Sequence, residues 1–318
     1  MQRKGDHMKK FLGNRLAIVL FCLPALVLFT VFMFVPIVQV LLYSFTDWNG
    51  VRAATFTGLH NYIQLFSDRA FAISNKNQLI FAVIITIYQM FLGTVFAIVI
   101  SDPRTRGRKF LRVAYFIPVV LSVTVVCQLW MSIFSDTGLL NQLAAALGTS
   151  WKQNWLGDRY KAIYAIAFVN AWQWTGYQFA LILAGVKSIP NDYYEAAQID
   201  GAGPVRAHMR ITIPLLAETY KFCLIISVTG GIKAFTEMFI MTKGGPGTAT
   251  YTLTYIMYNA AFKRNQYGYG LAAAAIMVLE CMMVMIVINF IFRDRDAVPG
   301  KKQGLLHKGG KAHAAQKV

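Results

Sequence analysis

The sequence has 318 residues, 56% hydrophobic and 14% charged, with a formal net charge of +17. A soluble globular domain carries about 25% charged residues and 45–50% apolar ones, so the composition excludes an ordinary soluble fold. The positive balance does not mark a nucleic-acid binder, because the charge is parcelled into short segments between long apolar runs.

A helix needs roughly 20 mostly apolar residues to cross the hydrocarbon core. Six segments qualify: Leu16–Tyr43, Leu79–Ile100, Val113–Ile133, Ala162–Val186, Phe222–Met241 and Leu271–Phe292. They predict an all-α, multi-pass membrane protein with six transmembrane helices in one domain over 16–292. The first segment follows a basic start, "MQRKGDHMKKFLGNR", and its apolar run is 28 residues long. A cleaved signal has a core of only 7–15, so this run is read as a retained first span, bent near Pro24 and Pro36. Loop 44–78 is predicted to hold a short helix around Leu59–Phe66, and loop 134–161 another in "GLLNQLAAALG". In loop 242–270, Gly244, Gly245 and Pro246 signal a turn, followed by an amphipathic helix from about Tyr251 to Arg264.

With six spans both ends share one side. Segments 1–15, 102–112, 187–221 and 293–318 carry 21 of the 31 Lys and Arg, and the opposite loops 9. The positive-inside rule places the basic N-terminus 1–15 and the tail 293–318 in the cytoplasm, the tail near an anionic leaflet. Cys22, Cys127, Cys223 and Cys281 all fall within spans and without metal-ligand spacing. No histidine falls in a span, which argues against an intramembrane metalloenzyme; no metal site is expected. There is no G-x-x-x-x-G-K-[ST] phosphate loop, so the chain is not expected to be an enzyme or to bind a cofactor itself.

Between spans four and five lies "SIPNDYYEAAQIDGAGPVRAHMRITIPLL". Asp192 suits an N-cap, with Glu195 three residues on as in a capping box. Gly201 or Gly203 suits a left-handed helix closure, and Pro204 the first position of the next helix. The module 190–214 is thus helix, turn, helix on the cytoplasmic face. Two uses fit it, a connection on the headgroups or a docking surface; its polar, small-residue first helix favours docking.

In span four, "NAWQWTGYQ" sets Asn170, Trp174 and Gln178 on one face, with Gln173 and Tyr177 beside them. Amides and aromatic faces suit sugar rings, and equally suit interhelical packing. Lys233, Glu237 and Glu280 are charges within spans, which usually face a cavity or a partner. Lys233 and Glu237 are four residues apart and could pair; alternatively Lys233 meets an anionic substrate. Glu280 is expected to bind a neighbouring helix or a second membrane subunit. A rival reading makes these three the relay of an ion-coupled secondary transporter.

"EAAQIDGAG" followed by "ITIP" resembles the EAA loop of binding-protein-dependent ABC importer permeases. Glu195, Ala196, Ala197, Asp200, Gly201, Ala202 and Pro214 stand at the family's positions; His208 replaces a frequent Phe and Ile213 a Leu. "FTGLHNYIQL", "MTKGGPGTATYTL" and "YNAAFKRNQYGYGLAAA" resemble the maltose and multiple-sugar branch, so the likeness covers nearly the whole chain. The resemblance implies a type I importer fold in the bacterial inner membrane, working beside a second permease, generally a different one. It also implies two ABC ATPase subunits carrying ATP and Mg, and a periplasmic or lipid-anchored solute-binding protein. Glu195–Gly201 would be the coupling helix. Trp174, Gly176 and Tyr177, with the stretch Gly230–Thr236 that includes Gly231, would touch the sugar. Beside what the resemblance implies, the residues themselves add Gln178 from its face of span four, and Lys233 with Glu237 as charges that could meet an acidic oligosaccharide such as alginate.

Overall fold

The computed structural model describes residues 15–293. The predicted basic ends, 1–15 and 293–318, lie outside the described residues except for Arg15 and Arg293. Among the described residues everything regular is helical, apart from one isolated bridge between Thr46 and Phe56.

The first helix, α1 (15–43), runs from Arg15 through a widened π-turn at Thr30–Phe34 to Tyr43. Pro36 has no N–H to give the carbonyl four residues back, and the widened turn lies over that missing bond. The expected bend at Pro36 is thus a π-turn, whereas Pro24 stays inside regular helix. The short helix α2 (His60–Ser67) precedes α3 (Arg69–Ser101). The Asp68 carboxylate caps α3 by accepting from the Ala70 N–H at 2.8 Å, and α3 begins ten residues before the predicted span.

The third predicted span is not one helix. It divides into α4 (Arg108–Val120) and α5 (Val123–Phe134), with Leu121 and Ser122 extended between them. Pro118 removes one helical hydrogen bond, and α4 ends within a turn of it. Then follow α6 (Leu139–Ala146), α7 (Ala162–Lys187), α8 (Asp192–Ile199) and α9 (204–215), the last holding a π-turn at His208–Thr212. That turn stands before Pro214 as the first stands before Pro36. The fifth predicted span is also broken, into α10 (Ala217–Ile232) and α11 (Thr236–Met241) with a kink at 233–235. α12 (253–263) leads to α13 (Tyr267–Phe292).

Among the described residues five stretches are long and apolar enough to cross a membrane: Ile18–Tyr43, Arg69–Ser101, Val123–Ala146, Ala217–Met241 and Tyr267–Phe292. Val123–Ala146 is itself interrupted at 135–138, between α5 and α6. α7 is also long enough, at 26 residues, but Asn170, Gln173, Thr175 and Gln178 interrupt its apolar character. Those side chains are buried against protein, where a polar group in a membrane helix belongs.

α7 is the hub. It packs along α3 and α4 and touches α5, α10 and α11. One core cluster joins Phe81, Val126, Ile166 and Met238; a second joins Ala97, Phe179, Ile182, Leu216 and Cys223. A third, of Leu65, Leu253, Tyr269 and Ala273, fastens α2 and α12 to α13. α1 contributes no buried residue to any cluster and meets α13 through its Val35–Tyr43 segment.

Candidate functional site: a projecting helix and two broken helices

Within the module 190–214, α8 is largely exposed, while Tyr194 packs against the second core cluster and Ala207 and Thr212 are buried. α8 begins at Asp192 with Asn191 as its N-cap, and no side chain caps it. The predicted capping box around Asp192 is therefore not formed. Asn191 already has helical dihedrals, and its own carbonyl accepts the Tyr194 and Glu195 N–H groups at 2.8 and 3.1 Å. Asp192 and Glu195 remain in the first turn, where the helix dipole favours negative charge.

The other end closes as the glycine predicts. Gly201 has φ +73°, its N–H donates to Gln198 O at 3.0 Å, and Ala202 N–H donates to Ala197 O at 2.8 Å. That pair of bonds is a Schellman closure. Gly203 keeps an extended conformation, and Pro204 opens α9. Glu195, Ala196, Asp200 and Gly201 are exposed, and Ile199 and Val205 are 87% and 77% exposed. Ile199 and Val205 thus stand open beside the small side chains of Ala196 and Ala197.

The module is held from below. Tyr194 Oη and His208 Nδ1 both meet Thr212 Oγ1, at 2.8 and 2.9 Å. His208 thus takes part in a hydrogen-bonded clasp that a phenylalanine could not make. Partial burial holds its pKa below the ordinary value, with the Asp102 carboxylate pulling the other way.

The second region is the pair of helix breaks. Backbone freed from a helix at membrane depth must find another partner. At the first break, Gln173 Nε2 donates to Leu121 O at 3.0 Å. At the second, Thr252 Oγ1 donates to Ala234 O at 3.1 Å. The two breaks are neighbours, because α5 packs on α11. Between them Asn170 Nδ2 donates to Glu237 Oε1 at 2.6 Å, with Glu237 only 5% exposed.

Lys233 and Glu237 do not form the expected local pair. The kink at 233–235 removes the helical register that would align them, and Glu237 turns to Asn170 instead. The Lys233 side chain is exposed, with no carboxylate within 4.0 Å among the described residues. Glu280 binds a neighbouring helix, as one expectation had it, through Asn75 and Gln78 of α3. Lys233, Glu237 and Glu280 therefore sit in three separate settings and share no hydrogen bond.

The span-four candidates divide. Asn170 and Gln178 are buried and reach α11 and α10, Gln178 through Cys223 O at 3.3 Å. Gly176 is a close-approach glycine: a Cβ there would lie 2.2 Å from Tyr115 O. Gly231 is another, its would-be Cβ 2.6 Å from Ala82 Cα. Trp174 is half-buried and Tyr177 is 36% exposed.

Sequence reasoning missed three polar links. Asn77 Nδ2 donates to the carbonyls of Ala249 and Tyr251, at 2.9 and 3.1 Å. Gln78 Oε1 accepts from Leu253 N–H at 3.2 Å, tying α3 to the start of α12. Within the membrane, Ser227 Oγ donates to Gln89 Oε1 at 2.7 Å, joining α10 to α3. Asn77 and Gln78 lie just before the predicted start of span two, and a polar pair at that spacing was the available signal.

A helical membrane body with interrupted crossings suits a transport permease. The comparisons make it particular: the sequence model of the binding-protein-dependent transport system inner membrane component family matches residues 89–296, and the chain belongs to that family. It is 37% identical over 284 residues to the probable ABC transporter permease protein YurN of Bacillus subtilis, covering 88% of this chain and 97% of that one. It is 31% identical over 280 residues to the trehalose/maltose permease MalF of Thermococcus litoralis, covering 86% and 94%. A bacterial ABC transporter that imports the acidic polysaccharide alginate shares the fold at TM-score 0.77 and 20% identity, over 92% of this chain and 99% of that one.

Proposed function

We propose that this chain is the permease subunit of an ATP-driven importer carrying a sugar or oligosaccharide across the bacterial inner membrane. The observation that carries the reading is α8, exposed and Gly201-closed, inside the family-matched region. Relatives named for starch degradation products, multiple sugars and trehalose/maltose support the substrate class.

In this reading the chain crosses six times, with both ends in the cytoplasm. Two ABC ATPase subunits hold ATP and Mg, and their closure pushes on Glu195, Ala196, Ala197 and the Asp200–Ala202 turn. The Tyr194–Thr212–His208 clasp passes the push into α9, and Pro214 leads it on toward α10. α7 and α10 then rock around the broken-helix region. A second, different permease completes the pathway and covers α1; a solute-binding protein delivers the sugar from outside.

Trp174, Tyr177 and Lys233 offer the side chains that face open space. Gly176, Gln178, Gly231 and Glu237 act behind them by fixing the helices. The exposed Lys233 ammonium, without a carboxylate partner, favours an acidic oligosaccharide such as alginate over a neutral one.

The test is uptake into proteoliposomes holding the whole importer and its binding protein, with neutral maltotriose and an acidic uronate trisaccharide as probes. Uptake should require ATP and survive collapse of the membrane potential. Uptake that ignores ATP and vanishes with the potential would establish the ion-coupled alternative. Exchanging Lys233→Gln should weaken acidic uptake selectively; equal loss for both sugars would remove the acidic preference.

A further inference from the structure

An apolar groove of about 560 Å³ runs between α4 and α7. Its floor is Phe179 and Leu183, both buried. One wall is Val113, Phe116, Ile117 and Val120, each exposed. On the other wall Ala180 and Ala184 have little side chain, and their small size leaves the groove open.

The chemistry changes at one end. Arg112, near the start of α4, and Lys187, the last residue of α7, both line it there. Neither has a carboxylate within 4.0 Å; among the described residues the ion pairs are Lys161–Asp158 and Lys221–Glu218. Apolar walls ending in two unpaired cations have the polarity of a phospholipid, tails first and anionic headgroup last. Basic pockets between membrane helices hold such headgroups. Apart from the two cations the lining offers a saccharide no hydrogen-bonding side chain, so the groove is no sugar path.

We propose that this groove binds one anionic phospholipid, its acyl chain along α4 and α7 and its phosphate between Arg112 and Lys187. The orientation proposed above decides only that the cytoplasmic leaflet supplies it. The molecule carries its own control. A second apolar groove, of about 750 Å³, lies among Leu41, Ile63, Phe66, Ala275 and Leu279 and has no Lys or Arg in its lining.

The experiment titrates the intact, detergent-solubilised importer with phosphatidylglycerol and with phosphatidylcholine of the same acyl chains, reading bound lipid by native mass spectrometry. Wild type should bind phosphatidylglycerol roughly fivefold to thirtyfold more tightly, the range expected for one or two cation–phosphate contacts. Arg112→Gln with Lys187→Gln should erase the preference, and Arg112→Lys with Lys187→Arg should keep it. Leu279→Trp, in the second groove, should leave it unchanged. Equal binding of the two lipids by wild type would overturn the proposal, as would a preference that survives the double glutamine variant. So would efficient disulfide trapping of Val120→Cys against cysteines on the second permease, because that subunit would then cover the groove.

Discussion

The projecting module and the two broken helices are built by opposite means. The module takes its shape from neighbours in sequence: Asn191 starts α8 and Gly201 ends it, through bonds reaching three to five residues. The breaks are held from far away, the Leu121 carbonyl by Gln173 and the Ala234 carbonyl by Thr252. Local closure lets the module stand in open space, where a partner can grip it. Distant closure makes the breaks part of the packed interior, so helices that move there must move together. An importer needs both, a handle that protrudes and a centre that transmits.

Side chains added at the two kinds of glycine should have the most unequal effects. Gly231→Leu drives a side chain into the Ala82 backbone, where even a Cβ would lie at 2.6 Å. It should cost about 1–3 kcal/mol or more, as overpacked cores do, and strip folded protein from the membrane fraction. Gly201→Ala meets nothing within 4 Å and suffers only the left-handed backbone penalty, about 1 kcal/mol. Expression and thermal stability should stay near wild type while coupling falls. Equal loss of folded protein for both would show that the module is not independent of the core.

Next in size is the buried carboxylate. Asn170→Leu leaves Glu237 buried without its donor, a loss of about 1–3 kcal/mol by thermal melting. Glu237→Gln keeps a hydrogen-bonding partner for Asn170 and should cost less. Thr252→Val frees the Ala234 carbonyl and should cost about 1 kcal/mol, more than the same exchange at exposed Thr236.

The smallest effect is that of pH on His208. Its folded pKa lies below the unfolded value of about 6.5, so the unfolded module binds more protons. The stability it gives is complete above pH 6.5 and is lost as pH falls toward the folded pKa. Asp102, Arg104, Lys187 and Glu195 line the same cleft and set the local field. The thermal stability of the permease should therefore fall modestly between pH 7 and 6, and His208→Phe should flatten that slope. An unchanged slope would show that the imidazole does not titrate there.

What sequence made legible follows the same division. The helix ends of the module could be read, because Gly201 and Pro204 act on their own backbone; the N-cap was misplaced by one residue because Asn191 itself entered the helix. Apolar length located the crossings but not their interruptions. Val113–Ile133 reads as one run, and only the packed chain shows Gln173 accepting the task of satisfying Leu121. Lys233 and Glu237 look like partners at helical spacing until the kink separates them. Of the two prolines expected to bend the first span, Pro36 has a π-turn just upstream and Pro24 does not; a like turn before Pro214 was not foreseen.

The central claim is that α8 receives the work of a separate ATPase. The direct measurement is disulfide trapping of Ala196→Cys against cysteines around the ATPase cleft, together with binding-protein-stimulated ATP hydrolysis by Glu195→Lys and Gly201→Val variants of the reconstituted importer. The account predicts efficient trapping at Ala196, none at Tyr160→Cys on the opposite side, and at least tenfold loss of stimulated hydrolysis with the membrane body still folded. Failure to trap Ala196, with both variants retaining full stimulation, would contradict it.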